Sequence, residues 1–270
     1  MTQNVVLAGC GNMGFAMLAG WLKSGRLAAH DVWVVEPNEP LRQRAETLGT
    51  NAFASSDALP VDLAPALVVF AVKPQAMGDV VPAYKRFAEG ATTFLSIAAG
   101  TPIARFEDML GAEIAMVRCM PNTPAAIGKG MMVTVTNGKV SEAAQSFVAD
   151  LLAASGAVTS IDNETQMDAV TAVSGSGPAY IFHFIEALSA AGETAGLPQE
   201  TARLLAMQTV YGAACLAAES SDEPATLRQQ VTSPNGTTAA ALSVLMGDDR
   251  LKKLVAEAVE AARKRSVELG

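Results

Sequence analysis

The chain has 270 residues, half of them hydrophobic, and 27 acidic against 19 basic side chains give a formal net charge of -8. That content suffices for one large core or two smaller ones, and the acidic balance excludes nonspecific binding to nucleic acid or to an anionic membrane surface. Three cysteines without CxxC spacing, Cys10, Cys119 and Cys215, argue for reduced thiols rather than a disulfide framework, and two histidines, His30 and His183, are too few for an ordinary zinc site.

The apolar run Val5–Ala8 reads as a strand, followed by the glycine turn Gly9-Cys10-Gly11-Asn12-Met13-Gly14 and a helical pattern through Phe15, Leu18, Ala19 and Leu22. Strand, GxGxxG turn and helix form a dinucleotide fingerprint. Gly9 makes the tight turn, Gly11 lets backbone approach a pyrophosphate, and Gly14 lets the helix pack on its strand, with Asn12 and Met13 completing the turn. The helix N-terminus then faces the phosphates. A strand opening so near Met1 leaves no room for a basic and apolar leader, and the longest apolar run, Ala64 to Val72 with Pro65 inside it, is too short to span a bilayer. The expectation is a soluble, cytoplasmic protein.

A second strand, Val32 to Val35, ends in Glu36, about 20 residues beyond the fingerprint. An acid there binds the ribose 2′-hydroxyl of NAD and repels the 2′-phosphate of NADP. Asn38, Arg42 and Arg44 pull the other way: with Glu36 swung outward after Pro37, they would cradle a phosphate. The arginines equally suit a solvated helix face.

Strand Leu67 to Val72, a helix near Met77 to Ala88, strand Thr93 to Ile97, helix Pro102 to Leu110 and strand Ile114 to Cys119 follow in alternation. Such an order implies a parallel sheet with helices on both faces. A strand at Met131 to Thr136, a helix capped by Ser141 and carrying Phe147, Val148, Leu151 and Leu152, and a strand at Ala157 to Ile161 close a Rossmann-type α/β domain over residues 1–162. Ligands in such sheets lie beyond the carboxyl ends of the strands. Three loops fall there. Lys73 in Ala71-Val72-Lys73-Pro74 suits a ribose or phosphate, the small Ala98-Ala99-Gly100 leaves room for a flat nicotinamide, and Asn122 in Met120-Pro121-Asn122-Thr123-Pro124 offers a donor and an acceptor.

Residues 163–270 read as all-helical. Pro178 and Pro198 suit first-turn positions of helices running to about Gly192 and Glu219, and Leu251, Leu254, Val255, Ala258 and Ala262 give the last helix one apolar stripe. So many small and apolar residues in about a hundred positions leave apolar faces exposed on a monomer, which a helix-mediated dimer would cover; the alternative is a compact monomeric bundle. Two punctuated segments each precede an apolar helix: Ser174-Gly175-Ser176-Gly177-Pro178-Ala179-Tyr180 and Val231-Thr232-Ser233-Pro234-Asn235-Gly236-Thr237-Thr238. Unpaired amides at such a helix start, joined by the hydroxyls of Ser233, Thr237 and Thr238, bind a carboxylate without a cation.

Taken together, GCGNMG, AVKPQ, SIAAG, RCMPNTPA, SGSGPAY and VTSPNGTT resemble pyrroline-5-carboxylate reductases over nearly the whole chain. The last two motifs carry most of the specificity, since related β-hydroxyacid dehydrogenases share only the opening. The resemblance implies a Rossmann-type domain followed by an all-α C-terminal dimerisation domain. It further implies hydride transfer from NADPH, with NADH as the second choice, to the C=N carbon of 1-pyrroline-5-carboxylate, giving L-proline. The substrate carboxylate would lie on the amides around Gly236, Thr237 and Thr238 with Ser176 and Ser233 beside it, and the Thr238 hydroxyl would hydrogen-bond the ring nitrogen. Tyr180 and His183 stand as proton-donor candidates, although a histidine on an apolar helix is more often a packed core residue. The resemblance also implies an intertwined homodimer, or a higher homo-oligomer such as a decamer, with neither nucleic acid nor membrane as partner. One departure is Asn235, where the family usually has glycine; asparagine tolerates a left-handed backbone better than most residues.

Two other readings compete. A 3-hydroxyacid dehydrogenase would want a lysine base on the first long helix of the second half, and Tyr180 to Gly192 contains none. A nucleotide-sensing protein without catalysis would have no use for the Thr232–Thr238 loop.

Overall fold

The computed structural model describes residues 3–269, and among them a single eight-stranded sheet runs in the order β3-β2-β1-β4-β5-β6-β7-β8. The strands are β1 Val5–Ala8, β2 Val32–Val35, β3 Asn51–Phe53, β4 Leu67–Phe70, β5 Thr93–Ser96, β6 Ala115–Met120, β7 Gly130–Thr136 and β8 Gly156–Ser160. All neighbouring pairs are parallel except β6 and β7. The chain starts in the middle and winds outward both ways, so a crevice opens where β1 stands between β2 and β4.

The first helices are α1 Asn12–Lys23, α2 Glu39–Glu46, α3 Met77–Val80, α4 Ile103–Leu110, α5 Glu142–Ala153 and α6 Met167–Val170. Met17, Leu18 and Trp21 of α1 with Val148, Leu151 and Leu152 of α5 bury one face of the sheet against Val5, Leu7, Val34 and Val69. Met77 of α3, Phe106 and Leu110 of α4 and Met167 of α6 bury the other against Val6, Val68 and Phe70. Successive strand residues therefore alternate between two cores. That is why β1 and β4 read as unbroken apolar runs rather than alternating ones.

In the α/β half, two expected elements change at their ends by more than one residue, and one short strand was not expected. The strand expected to reach Val72 ends at Phe70, because the Ala71 amide makes the last ladder bond, to Ala8 O at 2.8 Å, before the β1 chain turns away at Gly9. The helix expected from Met77 to Ala88 is one α turn continuing as a 3-10 helix over Val81–Phe87, since Pro82 has no N–H to give to an α-helical ladder. The three-residue β3 was missed; its Asn-Ala-Phe sequence carries no periodic signal. Ser141 does cap α5, accepting a bond from the Ala144 amide at 3.2 Å.

Beyond β8 there is no strand among the described residues. A π-helical turn, Thr171–Gly175, leads into α7 Gly177–Thr194, followed by α8 Gln199–Glu219, α9 Pro224–Gln230, α10 Thr237–Met246 and α11 Arg250–Leu269. Pro178 lies in the first turn of α7 as expected, whereas Pro198 stands one position ahead of α8 as its N-cap. The chain forms two compact units: one runs to Ser176 and includes the end of α11 from Ala262, and the other spans Gly177–Ala261. In the second unit α7 and α8 pack closely, and a Cβ on Gly192 would lie 3.2 Å from that of Ala202. Ile181, Phe182, Leu204, Leu205, Tyr211 and Leu254 remain exposed. In the first unit the Ser266 hydroxyl donates to Asp168 Oδ1 at 2.7 Å, fastening the end of α11 to α6.

Candidate active site

The glycine turn has the geometry its sequence demands. Gly9 takes φ +91°, and a Cβ there would sit 2.7 Å from Val72 Cγ1 and 2.9 Å from Ala71 O; a Cβ on Gly14 would collide with the Gly9 carbonyl. A Cβ on Gly11 would meet nothing within 4 Å, so the backbone presents an open face there. Gly11 is the N-cap of α1 and supplies no side-chain cap, which leaves first-turn amides for an anion. The turn fits a dinucleotide pyrophosphate.

Of the two orientations open to Glu36, the structure takes the inward one. Glu36 does not swing outward after Pro37: it is 7% exposed, and its carboxylate accepts bonds from the Cys10 amide at 2.7 Å and the Asn38 amide at 2.9 Å. The paired, charge-assisted bonds draw the acid under the glycine turn. The two arginines form neither a free phosphate cradle nor a solvated face. Arg42 Nη1 donates to the carbonyls of Glu36 at 3.0 Å and Pro37 at 3.2 Å. Arg44 Nη2 donates to Cys10 O at 3.2 Å and Gly11 O at 3.4 Å while its guanidinium lies 3.8 Å over the Phe15 ring. Asn38 caps α2, its Oδ1 accepting from the Leu41 amide at 3.2 Å. This end of the site is a belt of side chains bracing the turn from outside.

A pocket of about 470 Å³ opens at the crevice, lined by Gly9, Gly11, Glu36, Ala71, Val72 and Lys73 of the expected set, together with Leu41, Ala54, Asp79, Val80, Ala83 and Tyr84. Asn12 and Met13 line a neighbouring groove with Phe15 and Thr123 instead. Pro74 opens the short 3-10 turn Pro74–Ala76 with Lys73 as its N-cap. Ser96 and Arg118 are paired across β5 and β6 in the same rank as Phe70 and Ala8, so the loops after β1, β4, β5 and β6 emerge at one edge of the sheet. That edge carries Ala98, Ala99 and Gly100, the last with φ +72°.

Asn122 is spent on protein groups. Its Oδ1 accepts from the Met131 amide at 2.9 Å, and its Nδ2 donates to Ser174 O at 3.2 Å and Ser174 Oγ at 3.4 Å. It thereby ties the loop after β6 to the π-helical turn, whose i to i+5 bond runs from the Ser176 amide to Thr171 O at 2.8 Å. Such π turns are frequent at functional sites. Sequence reading also missed Glu164, whose Oε1 accepts both Arg118 Nη1 at 2.8 Å and the Ile103 amide at 2.9 Å, joining β6 to the start of α4. The signal was present: a charge inside the buried strand Ala115–Met120 requires a partner.

In the second unit, Asn235 adopts φ +59°, the left-handed geometry that its sequence position requires. The Gly236 amide bonds Ser233 O at 3.1 Å, and Gly236 becomes the N-cap of α10 without a side-chain cap. A Cβ on Gly236 would lie 2.5 Å from Ser233 Oγ, so that hydroxyl sits directly at the helix start. Thr237 and Thr238 open α10. Amides, hydroxyl and helix dipole converge on one anion-binding end. His183 corrects the expectation of a packed residue: its side chain is 83% exposed and its Nδ1 lies 3.1 Å from Glu186 Oε2.

The cysteines are free, with Cys10 and Cys119 buried. Burial pushes the Cys10 thiol up to about 11, against the opposing pull of Arg44, and burial pushes Cys119 up to about 12. Neither thiol is a nucleophile at neutral pH.

Comparison with known proteins agrees with this geometry. Residues 164–269 match the family model for pyrroline-5-carboxylate reductase dimerisation, and residues 4–100 match that for NADP oxidoreductase, coenzyme F420-dependent. The pyrroline-5-carboxylate reductase of Pseudomonas aeruginosa is 42% identical over 269 residues, covering 99% of this chain and 97% of the relative. Among solved structures, a pyrroline-5-carboxylate reductase from Coxiella burnetii superposes with a TM-score of 0.94 at 34% identity, over 100% of this chain and 99% of the other. The Plasmodium falciparum pyrroline carboxylate reductase, solved with NADP bound, does so with 0.85 at 30% identity, over 99% and 98%. A glycine turn built for a dinucleotide and full-length identity of this order place the chain in the pyrroline-5-carboxylate reductase family of NAD(P)-dependent oxidoreductases.

Proposed function

We infer that the protein reduces 1-pyrroline-5-carboxylate to L-proline, the last step of proline biosynthesis. NADPH, or NADH in its place, supplies the hydride to the C=N carbon, and the ring nitrogen takes one proton. The observation that carries the substrate assignment is the uncapped start of α10, where the left-handed Asn235 and the side-chain-free Gly236 expose amides to an anion. The amides of Gly236, Thr237 and Thr238 hold the substrate carboxylate, helped by the Ser233 hydroxyl; the Thr238 hydroxyl hydrogen-bonds the ring nitrogen. Gly9, Gly11, Asn12, Met13 and Gly14 carry the pyrophosphate, Ala71 to Pro74 line the ribose side, and Ala98, Ala99 and Gly100 make room for the nicotinamide. Glu36, Asn38 and Asn122 act by holding these loops in place.

Residues 163–270 serve as the substrate-binding and dimerisation segment. The exposed apolar side chains of α7, α8 and α11 support a homodimer, which some members of the family extend to a decamer. The protein works in the cytoplasm; no described helix is long and apolar enough to cross a membrane. Loss of NADPH absorbance on adding 1-pyrroline-5-carboxylate, with NADH in parallel, tests the reaction. Thr238→Ala should lower kcat/KM by about 10- to 100-fold. Absence of turnover in folded protein that binds nucleotide would overturn the assignment.

A further inference from the structure

Among the described residues Arg118 is the only buried cation, at 5% exposed. It stands in β6 opposite Ser96, the last residue of β5. It shares a face of the sheet with Met116, two positions earlier, which belongs to the core formed with Phe106 of α4 and Met167 of α6. A cation there needs a partner, and the partner is an acid from 46 positions away: Arg118 Nη1 donates to Glu164 Oε1 at 2.8 Å. Stability alone is a poor account of the pair, since apolar side chains of similar size would fill that space as well or better.

The same oxygen has a second task. It accepts the Ile103 amide at 2.9 Å, the first amide of α4, whose N-cap Pro102 makes no side-chain cap. Between Ser96 and Ile103 lies the loop that carries Ala98, Ala99 and Gly100. Its near end is fixed to the sheet by the Ile97 amide on Phe70 O at 3.1 Å and by the Ala98 amide on Ser96 Oγ at 3.2 Å. It turns at Gly100, with φ +72°, and its far end is held by Glu164. One carboxylate oxygen thus fixes that end against a buried cation of the neighbouring strand. We propose that Glu164 is a positioning residue for hydride transfer, setting how closely the Ala98–Gly100 loop approaches the nicotinamide ring, a role that rests on the reading of this loop as the nicotinamide wall. Glu164 acts through the loop and not on the cofactor, so its loss slows the hydride step and leaves the adenine end of the site unchanged.

The test compares Glu164→Gln, which keeps one acceptor oxygen at the same reach, with Glu164→Leu, which keeps none. Both are made in the full chain and checked by thermal melting to be folded at the assay temperature. Single-turnover oxidation of bound NADPH by saturating 1-pyrroline-5-carboxylate should slow about 10-fold in the glutamine variant and about 100-fold in the leucine one. The dissociation constant for 2′,5′-ADP, which has no nicotinamide, should stay within about twofold of wild type in both. A wild-type rate of hydride transfer in the folded variants, whatever their Tm, would overturn the proposal and leave the pair a packing feature. So would a parallel loss of 2′,5′-ADP affinity, which signals distortion of the whole nucleotide-binding unit. If the leucine variant does not fold, the glutamine variant decides alone. Ala99→Leu tests the loop itself: it should abolish turnover while 2′,5′-ADP still binds, and an unchanged turnover rate would overturn the nicotinamide reading of the loop, and the proposal with it.

Discussion

The Glu36 carboxylate and the Cys10 amide, 26 positions apart, are joined by a hydrogen bond of 2.7 Å, and the same carboxylate takes the Asn38 amide at 2.9 Å. The acid whose orientation the sequence left open is a latch between β2 and the glycine turn. Glu36→Gln keeps the shape and loses one acceptor, setting an amide NH₂ against a backbone N–H. Both NADPH and NADH should then bind about 3- to 30-fold more weakly, with their ratio nearly constant, as read by fluorescence titration. Weakening of NADH alone would return Glu36 to the ribose hydroxyl.

Asn235 occupies the left-handed region at φ +59° in the loop before α10. Glycine there removes a strain of about 1 kcal/mol, and a β-branched residue adds to it. Asn235→Gly should therefore leave the KM for 1-pyrroline-5-carboxylate within about twofold, while Asn235→Val should raise it about tenfold. Steady-state kinetics at saturating NADPH read both, and a tolerated valine would show that the amides need no left-handed residue to reach the substrate.

The raised thiols set an alkaline limit. An unfolded cysteine loses its proton near 9.0, whereas folded Cys10 and Cys119 hold theirs to about 11 and 12. Their contribution to stability is complete below pH 9 and is lost as the pH climbs through that window, because above 9 the unfolded chain binds fewer protons than the folded one. Thermal melts between pH 8 and 10.5 should show a falling Tm, with a shallower slope in Cys10→Ala. At pH 8 only about 0.1% of Cys10 is thiolate, so a thiol reagent should leave two of the three cysteines unmodified until the protein is denatured.

The parallel sheet, the glycine turn and the helical second half were legible because each rests on local rules: apolar runs, glycine spacing and the loss of strand patterns after Ile161. What stayed hidden depends on residues far apart in sequence. Nothing near Asn122 indicates that its amide will meet Ser174, 52 positions on, or that Glu164 will serve Arg118 and Ile103 at once. The orientation of Glu36 was open for the same reason, since the competing partner, the Cys10 amide, belongs to another strand's loop. β3 escaped because three half-buried residues at a sheet edge need no pattern to be held.

The bond between Asp168 and Ser266 spans 98 positions and closes within the first unit. At roughly 5 to 20 residues per second, the ribosome makes Ser266 about 5 to 20 s after Asp168. During synthesis the nucleotide-binding unit must wait for residues made after all of the helical one, so α6 stays without its Ser266 contact until the chain is almost finished.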